Sequence, residues 1–279
     1  EMLDNKVNAF LIDTPFGFQE NADVLVDKLQ LFFKKSVQIE IKLASLRNTN
    51  NIDSVEYFEM LEQLKSSNFI FSGPGSPSYA SKTWLHSEIP NVITNHLKDG
   101  KNAVFSSAAA STLGEKTIPV YEIYKVGMTP FWEEGLNTLE LYGLSCTVVP
   151  HFNNKEGGNH DTSCSYIGKN RLNMLINEEY TNILGIDEHT ALVINGEKEI
   201  FSVDGIGSVT VKTSNGQTVF EAGNEYSLSE LQSILQSTNK RELQHKKASS
   251  DNIDVNSLKK EIAKLNLEIK NNNDFTTLF

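Results

Sequence analysis

The 279-residue chain, 39% hydrophobic and 22% charged, has ordinary globular composition and enough length for one large domain or two small ones. Its formal net charge of −11 argues against nucleic acid or an anionic membrane as the main partner, since both need clustered Lys and Arg. Two cysteines, Cys146 and Cys164, are too few for a disulfide framework or a four-cysteine zinc site, no apolar run approaches the roughly 18 residues of a membrane span, and Glu1 to Lys6 form no basic leader. A soluble protein of the reducing cytoplasm is therefore expected.

Asn8 to Asp13 is a short apolar run that ends in Thr14-Pro15-Phe16-Gly17, and Ala22 to Phe33 then carries apolar residues at helical spacing. The alternation recurs. Val37 to Leu46 reads as a strand, Val55 to Leu64 as a helix, Asn68 to Phe71 as a strand and Trp84 to Leu97 as helical. Asn102 to Phe105 reads as a buried strand, Ala108 to Leu113 as a helix start and Thr147 to Val149 as a further strand. Short apolar strands separated by helical stretches predict an α/β fold, a mostly parallel sheet covered on both faces.

Thr190 to Ile194, Glu199 to Val203, Ser208 to Val211 and Thr218 to Phe220 follow, with Asn195-Gly196 and Asn215-Gly216 between them. Asn-Gly pairs between apolar alternations signal hairpins, so a small antiparallel extension is expected. The chain divides on this reading into an α/β domain at 1–195, a hairpin extension with a short helix at 196–236, and a polar linker with an amphipathic helix at 237–279. In the last segment Val255, Leu258, Ile262, Leu265 and Ile269 make one apolar seam about two heptads long. It either docks on its own domain or pairs with another chain, the latter giving a homodimer.

Ligands of such sheets sit at the carboxyl ends of the strands, which directs attention to the loops there. The strand Asn102-Ala103-Val104-Phe105 runs into Ser106-Ser107-Ala108-Ala109-Ala110, the layout of a nucleophile elbow, a sharp strand-to-helix turn that presents one side chain. Ser107 is that side chain, and a plain helix N-cap serine is the competing explanation. A nucleophilic serine needs a base, and His151 follows the strand Thr147-Val148-Val149 directly after Pro150, with His160 and His189 as loop alternatives. Glu122, flanked by aromatic and aliphatic residues, is the expected third member, because a partly buried carboxylate needs a partner. The loop Gly73-Pro74-Gly75-Ser76-Pro77 is placed to supply oxyanion-hole N–H groups from Gly75 or Ser76, with Ala108 as the second donor. Asn153, Glu156, His160, Asp161 and Arg171 are the expected substrate contacts, Arg171 as a carboxylate clamp and Asp161 or Glu156 for a cationic group; a structural salt-bridge network is the alternative for Arg171, Asp161 and His160. A metal site built from His160-Asp161 and Asp187-Glu188-His189 matches no familiar spacing, and neither metal nor cofactor is called for.

These segments resemble the serine peptidases that include cyanophycinase and aspartyl dipeptidase. The resemblance spans about residues 5 to 195 and rests on Gly73-Pro74-Gly75-Ser76, Ser107-Ala108-Ala109-Ala110, Pro150-His151-Phe152 with Arg171-Leu172, and Gly185-Ile186-Asp187-Glu188-His189-Thr190-Ala191-Leu192. It implies a three-layer, class I glutamine amidotransferase-like (flavodoxin-like) fold, with Ser107 and His151 at the nucleophile and base positions and Glu122 where the dipeptidase branch carries its acid. Ala109 stands where the family has an elbow glycine, and the first loop reads Gly-Pro-Gly-Ser instead of starting Gly-Gly. Asn153 to Thr162 together with Pro119 to Tyr124 look more like an uncharacterised, amidotransferase-like branch. No cysteine stands at the elbow, which removes thiol-type glutamine hydrolysis. The expected function is serine-dependent cleavage of a peptide or other small amide. The alternative is a catalytically inactive module of the same fold that binds a metabolite or peptide.

Overall fold

The computed structural model describes residues 7–236; the polar linker and the apolar seam of the last segment lie outside the described residues. Four short strands, β1 (Ala9–Ile12), β2 (Ile41–Ala44), β3 (Phe69–Ser72) and β4 (Asn102–Phe105), pair in the order β2-β1-β3-β4, all parallel. Helices α1 (Ala22–Phe32), α2 (Val55–Ser66), α3 (Pro77–Leu85) and α4 (Ile89–Lys98) connect them. The period of two along the strands decides which helix covers which face. Phe10, Ile12 and Ile70 pack with Leu61 and Leu64 of α2, Trp84 of α3 and Ile93 of α4. Ala9, Leu11 and Ile41 turn the other way, onto Ala22 and Val26 of α1 and onto Phe33. Each fully buried Leu, Ile or Phe contributes about 1.5–3 kcal/mol of transfer free energy, so these two half-cores hold helix–sheet–helix layering in place.

Beyond β4 come α5 (Ala108–Ser111), the β5 (Lys116–Thr117) and β6 (Glu133–Glu134) ribbon, and α6 (Val120–Tyr124). Strand β7 (Thr147–Val149), helix α7 (Lys169–Glu178) and strand β8 (Ile183–Ile186) follow, and β7 and β8 are parallel neighbours. The antiparallel part consists of β9 (Thr190–Asn195), β10 (Ile200–Gly205), β11 (Ser208–Thr213), β12 (Gly216–Glu221) and β13 (Asn224–Ser227). It serves two sheets. β11 and β12 extend the β7–β8 pair in the order β12-β11-β8-β7, while β13-β10-β9 form a second sheet. A helix over residues 228–236 closes the apolar face between them through Leu228, Leu231 and Leu235. The stretch after residue 195 is thus tied to the preceding part by the β9–β10 hairpin and by β11 on β8. Among the described residues no helix is long and apolar enough to cross a membrane.

Two expected elements are redrawn. The strand predicted over Val37 to Leu46 shortens to β2, because α1 runs on through a π-helical turn at Phe33–Val37 and ends at Gln38 in the left-handed region, φ 62°. The helix predicted over Trp84 to Leu97 is two helices: Ser76 caps α3 by accepting from the Tyr79 N–H at 3.2 Å, and α3 stops at Leu85 before Pro90 opens the first turn of α4.

At the carboxyl end of β1, Asp13 is fully buried and held by three donors: Arg47 Nε at 2.7 Å, Ser45 Oγ at 2.9 Å and the Leu46 N–H at 3.1 Å. The Arg47 guanidinium also reaches Asp23 at 2.6 Å, so it bridges β1 to α1. Replacing Arg47 by Met leaves a buried carboxylate with two neutral donors and is expected to cost about 2–3 kcal/mol. Urea unfolding of wild type and R47M checks this, and a loss below about 0.5 kcal/mol would mean that the pair contributes nothing net.

Candidate active site

Three loops at the carboxyl ends of β4, β7 and β8 converge, the position at which open α/β sheets place their ligands. Ser107 stands between β4 and α5 with φ 51° and ψ −117°, a backbone conformation that costs a non-glycine residue about 1–3 kcal/mol. Neighbouring hydrogen bonds impose it. The Ser106 N–H donates to the Ser72 carbonyl at 3.0 Å, the Ala109 N–H to the Gly73 carbonyl at 3.2 Å, and the Ser111 N–H to the Ser107 carbonyl at 3.1 Å. Ala109, where the resembling family has glycine, is completely buried and packs in the same core cluster as Ala80 and Trp84. The alanine side chain therefore fits within the elbow.

His151 follows β7 and is itself left-handed at φ 52°. Its Nε2 lies 2.9 Å from Ser107 Oγ, and its Nδ1 lies 3.1 Å from Glu188 Oε1. An ionised carboxylate only accepts, so Nδ1 carries the ring proton and Nε2 presents its lone pair to the serine hydroxyl. Glu188 sits just beyond β8 and is itself oriented: its Oε1 accepts from Asn154 Nδ2 at 2.6 Å, and its backbone N–H donates to Asn153 Oδ1 at 2.9 Å. The Asn154 hydrogen bond, reinforced by His151, holds the Glu188 carboxyl below the ordinary glutamate range against the opposing effect of burial.

The expected third member, Glu122, is not brought to His151. It lies on α6, where its Oε1 accepts from Ser78 Oγ at 2.7 Å. Partial burial and a partner were both expected of it, but the partner is a hydroxyl at the start of α3. Sequence order had favoured an acid between Ser107 and His151; strand order puts the acid after the next parallel strand, β8. Glu188 could have been found by applying the strand-end rule to β8 as it was applied to β4 and β7.

The proposed oxyanion donors separate as well. The Ser76 N–H donates to the Pro15 carbonyl at 2.8 Å, so it is spent on the turn that follows β1. Gly75 has φ 149°, and a side chain there would run into the Pro15 carbonyl, so glycine is required. Gly75 keeps an N–H with no backbone acceptor in that loop, and Ala108 is the first residue of α5, a position whose N–H has no intrahelical acceptor.

Of the five expected substrate contacts, Asn153 is engaged with Glu188, and Asp161 accepts from Ser163 Oγ at 2.6 Å and from the N–H groups of Ser163 and Lys169, which organises the turn into α7. Arg171 is exposed on α7 with its Nη1 3.4 Å from the Ile167 carbonyl, and among the described residues it pairs with no carboxylate. Glu156 and His160 belong to an aromatic wall beside the histidine. The Tyr166 ring lies 5.3 Å from that of His151 and 6.1 Å from that of Tyr124, and His160 stacks on Tyr124 at 6.2 Å. Tyr166 Oη is 3.4 Å from Glu156 Oε2. Burial, aided by Glu156 and Glu188, pushes the Tyr166 phenol up from its ordinary value. Tyr166 ends three consecutive left-handed residues, Cys164, Ser165 and Tyr166 at φ 56°, 57° and 69°, a strained turn that no sequence signal announced. Among the described residues no group of three or more His, Cys, Asp or Glu side chains converges as a metal would need, and Asp187 instead accepts from the Ser208 N–H and hydroxyl.

No protein-family model and no curated protein matches this chain. Among solved structures, a peptidase from an acI-B1 Actinobacterium superposes with a TM-score of 0.62 at 21% identity, over 78% of this chain and 82% of that one. The two chains share a fold. A putative peptidase E protein from Listeria monocytogenes EGD-e aligns over 74% of this chain and 90% of that one, at 16% identity and a TM-score of 0.46.

The lowered Glu188 carboxyl makes a signed prediction. A group whose folded value lies below its unfolded one stabilises the fold above the ordinary glutamate value, about 4.3, and loses that contribution as pH falls through the folded value. Wild type should therefore exceed Glu188→Gln in stability at pH 7, and the gap should narrow progressively as pH falls below the ordinary glutamate value. Denaturant midpoints of both proteins at pH 7, 5 and 3.5 test this; a gap independent of pH would assign the difference to packing.

Proposed function

We propose that this protein is a serine hydrolase that cleaves a peptide or other small amide bond, with Ser107 as nucleophile, His151 as general base and Glu188 as the residue that orients and stabilises the imidazole. The observation that carries the reading is the continuous chain of hydrogen bonds from Ser107 Oγ to His151 Nε2 at 2.9 Å and from His151 Nδ1 to Glu188 Oε1 at 3.1 Å. A surface serine capping a helix needs no such pair of partners, and Ser107 makes no side-chain capping bond to its helix. The solved structure of the same fold described as a peptidase supports the peptide or amide class.

In the proposed reaction His151 Nε2 takes the Ser107 proton as Oγ attacks the carbonyl carbon. The tetrahedral oxyanion is met by the N–H groups of Ala108 and Gly75. The imidazolium, held by Glu188, returns the proton to the leaving amine, and the same base then activates water to release the acyl group from Ser107. Glu156 and His160, on the wall formed with Tyr166 and Tyr124, are the proposed contacts to the substrate. Cys146 and Cys164 are both free and buried, which fits action in a reducing cytoplasm, and burial pushes the Cys146 thiol up, away from any nucleophilic role.

Exposure to a serine-directed fluorophosphonate followed by intact-mass analysis tests the reading. Wild type should gain one adduct on Ser107, and Ser107→Ala none; His151→Ala should label about a thousandfold more slowly or worse. Folded wild type that takes up no adduct would reject the hydrolase reading and favour the ligand-binding module.

A further inference from the structure

The reaction above leaves Glu122 without a task, although its carboxylate is held inside the protein beside the loop that carries Gly75. Its Oε1 accepts from Ser78 Oγ at 2.7 Å, and Ser78 Oγ lies 3.0 Å from Ser76 Oγ. The second oxygen, Oε2, is buried with no hydrogen-bond partner. A carboxylate oxygen so placed costs about 1–3 kcal/mol, a cost that a side chain of no consequence would avoid by turning to solvent.

The relay ends on the oxyanion loop, which meets the elbow on one side and Pro15 on the other. The Gly73 carbonyl accepts from the Ala109 N–H at 3.2 Å, and the Ser76 N–H donates to the Pro15 carbonyl at 2.8 Å. Between these two anchors lies Gly75 at φ 149°, where a side chain would run into the Pro15 carbonyl. Ser76 Oγ caps α3 through the Tyr79 N–H at 3.2 Å while meeting Ser78 Oγ. Glu122 is thus the acceptor at the far end of a serine pair, Ser78 and Ser76, that begins at the residue next to Gly75.

Resting on the serine-hydrolase reading, we infer that Glu122 is a positioning residue: through Ser78 and Ser76 it holds the Gly73–Ser76 loop so that the Gly75 N–H faces the oxyanion formed on Ser107. The carboxylate does this by accepting a hydrogen bond. Its charge and its proton take no part in the transfer, which distinguishes the role from that of Glu188.

The test is the rate of fluorophosphonate labelling of Ser107, with kcat and KM on any amide substrate that labelling leads to, in wild type and in Glu122→Ala, Glu122→Gln and Ser78→Ala. A displacement of the loop by about an ångström costs on the order of 100-fold in the chemical step. Glu122→Ala and Ser78→Ala are each expected to slow labelling and kcat about 10- to 100-fold with KM little changed, and the double variant to be no slower than either single one. Glu122→Gln keeps an oxygen for Ser78 and should recover most of the rate, which a residue acting through its negative charge would not allow. If Glu122→Ala does not fold, Ser78→Ala carries the same test. Unlabelled wild type overturns the hydrolase reading and this inference together. Labelled wild type with Ser78→Ala or Glu122→Ala at full rate, or with Glu122→Gln as slow as Glu122→Ala, overturns the positioning role alone.

Discussion

The left-handed backbone of Ser107 is the constraint on which the site depends. A strand that enters a helix without intervening loop can present a side chain above the sheet only through a conformation that L-residues avoid, and φ 51° with ψ −117° is that conformation. Its cost has to be met by surroundings that admit no relaxed alternative. The β3–β4 register pairs Ser72 with Phe105, and the Ser106 N–H continues the ladder to the Ser72 carbonyl. Ala108, Ala109 and Ala110 are then buried in the first turn of α5. Packing and ladder together hold Ser107 in place, with its hydroxyl 2.9 Å from His151 Nε2.

The histidine loop carries strain of its own. His151 at φ 52° is followed by the left-handed Cys164, Ser165 and Tyr166, and the two segments are stitched together: Ser165 Oγ donates to the Pro150 carbonyl at 2.7 Å, and the Cys164 N–H donates to the Phe152 carbonyl at 3.1 Å. The result places the Tyr166 ring over the imidazole. Unfavourable backbone thus falls on both partners of one hydrogen bond, Ser107 and His151. Both strained turns hold side chains that converge on a single point.

How far the sequence disclosed this depends on which force decides each element. Short apolar strands and helical periods are local, and β1, β3, β4, β7 and α2 lie close to where the pattern put them. Ser107 and His151 were legible because each follows a recognisable strand. The acid was not, for two reasons. Glu122 has the flanking residues of a buried carboxylate, and it is one, but which hydroxyl or imidazole it meets is set by the approach of α6 to α3. Glu188 lies in a polar Asp-Glu-His turn that looks like solvent-facing loop, and only the parallel pairing of β8 with β7 reveals that this turn stands beside His151. The long helix expected up to Leu97 failed for the opposite reason, a local signal passed over: Ser76 followed by Pro77 is a helix start, and Pro90 is another.

The carboxylates around the elbow show how one chemical group serves different ends according to its donors. Glu188 meets an amide and an imidazole, which hold its carboxyl below the ordinary glutamate range, and on the proposed mechanism it would stabilise positive charge on His151. Glu122 meets one serine hydroxyl, with its other oxygen sealed off, and so is suited to holding a backbone loop in register. Asp161 accepts from a hydroxyl and two N–H donors at the turn into α7. What separates these acids in the fold is the identity of the donor each one meets, and donors are brought together by strand order and loop closure, which the residues flanking an acid in the chain do not disclose.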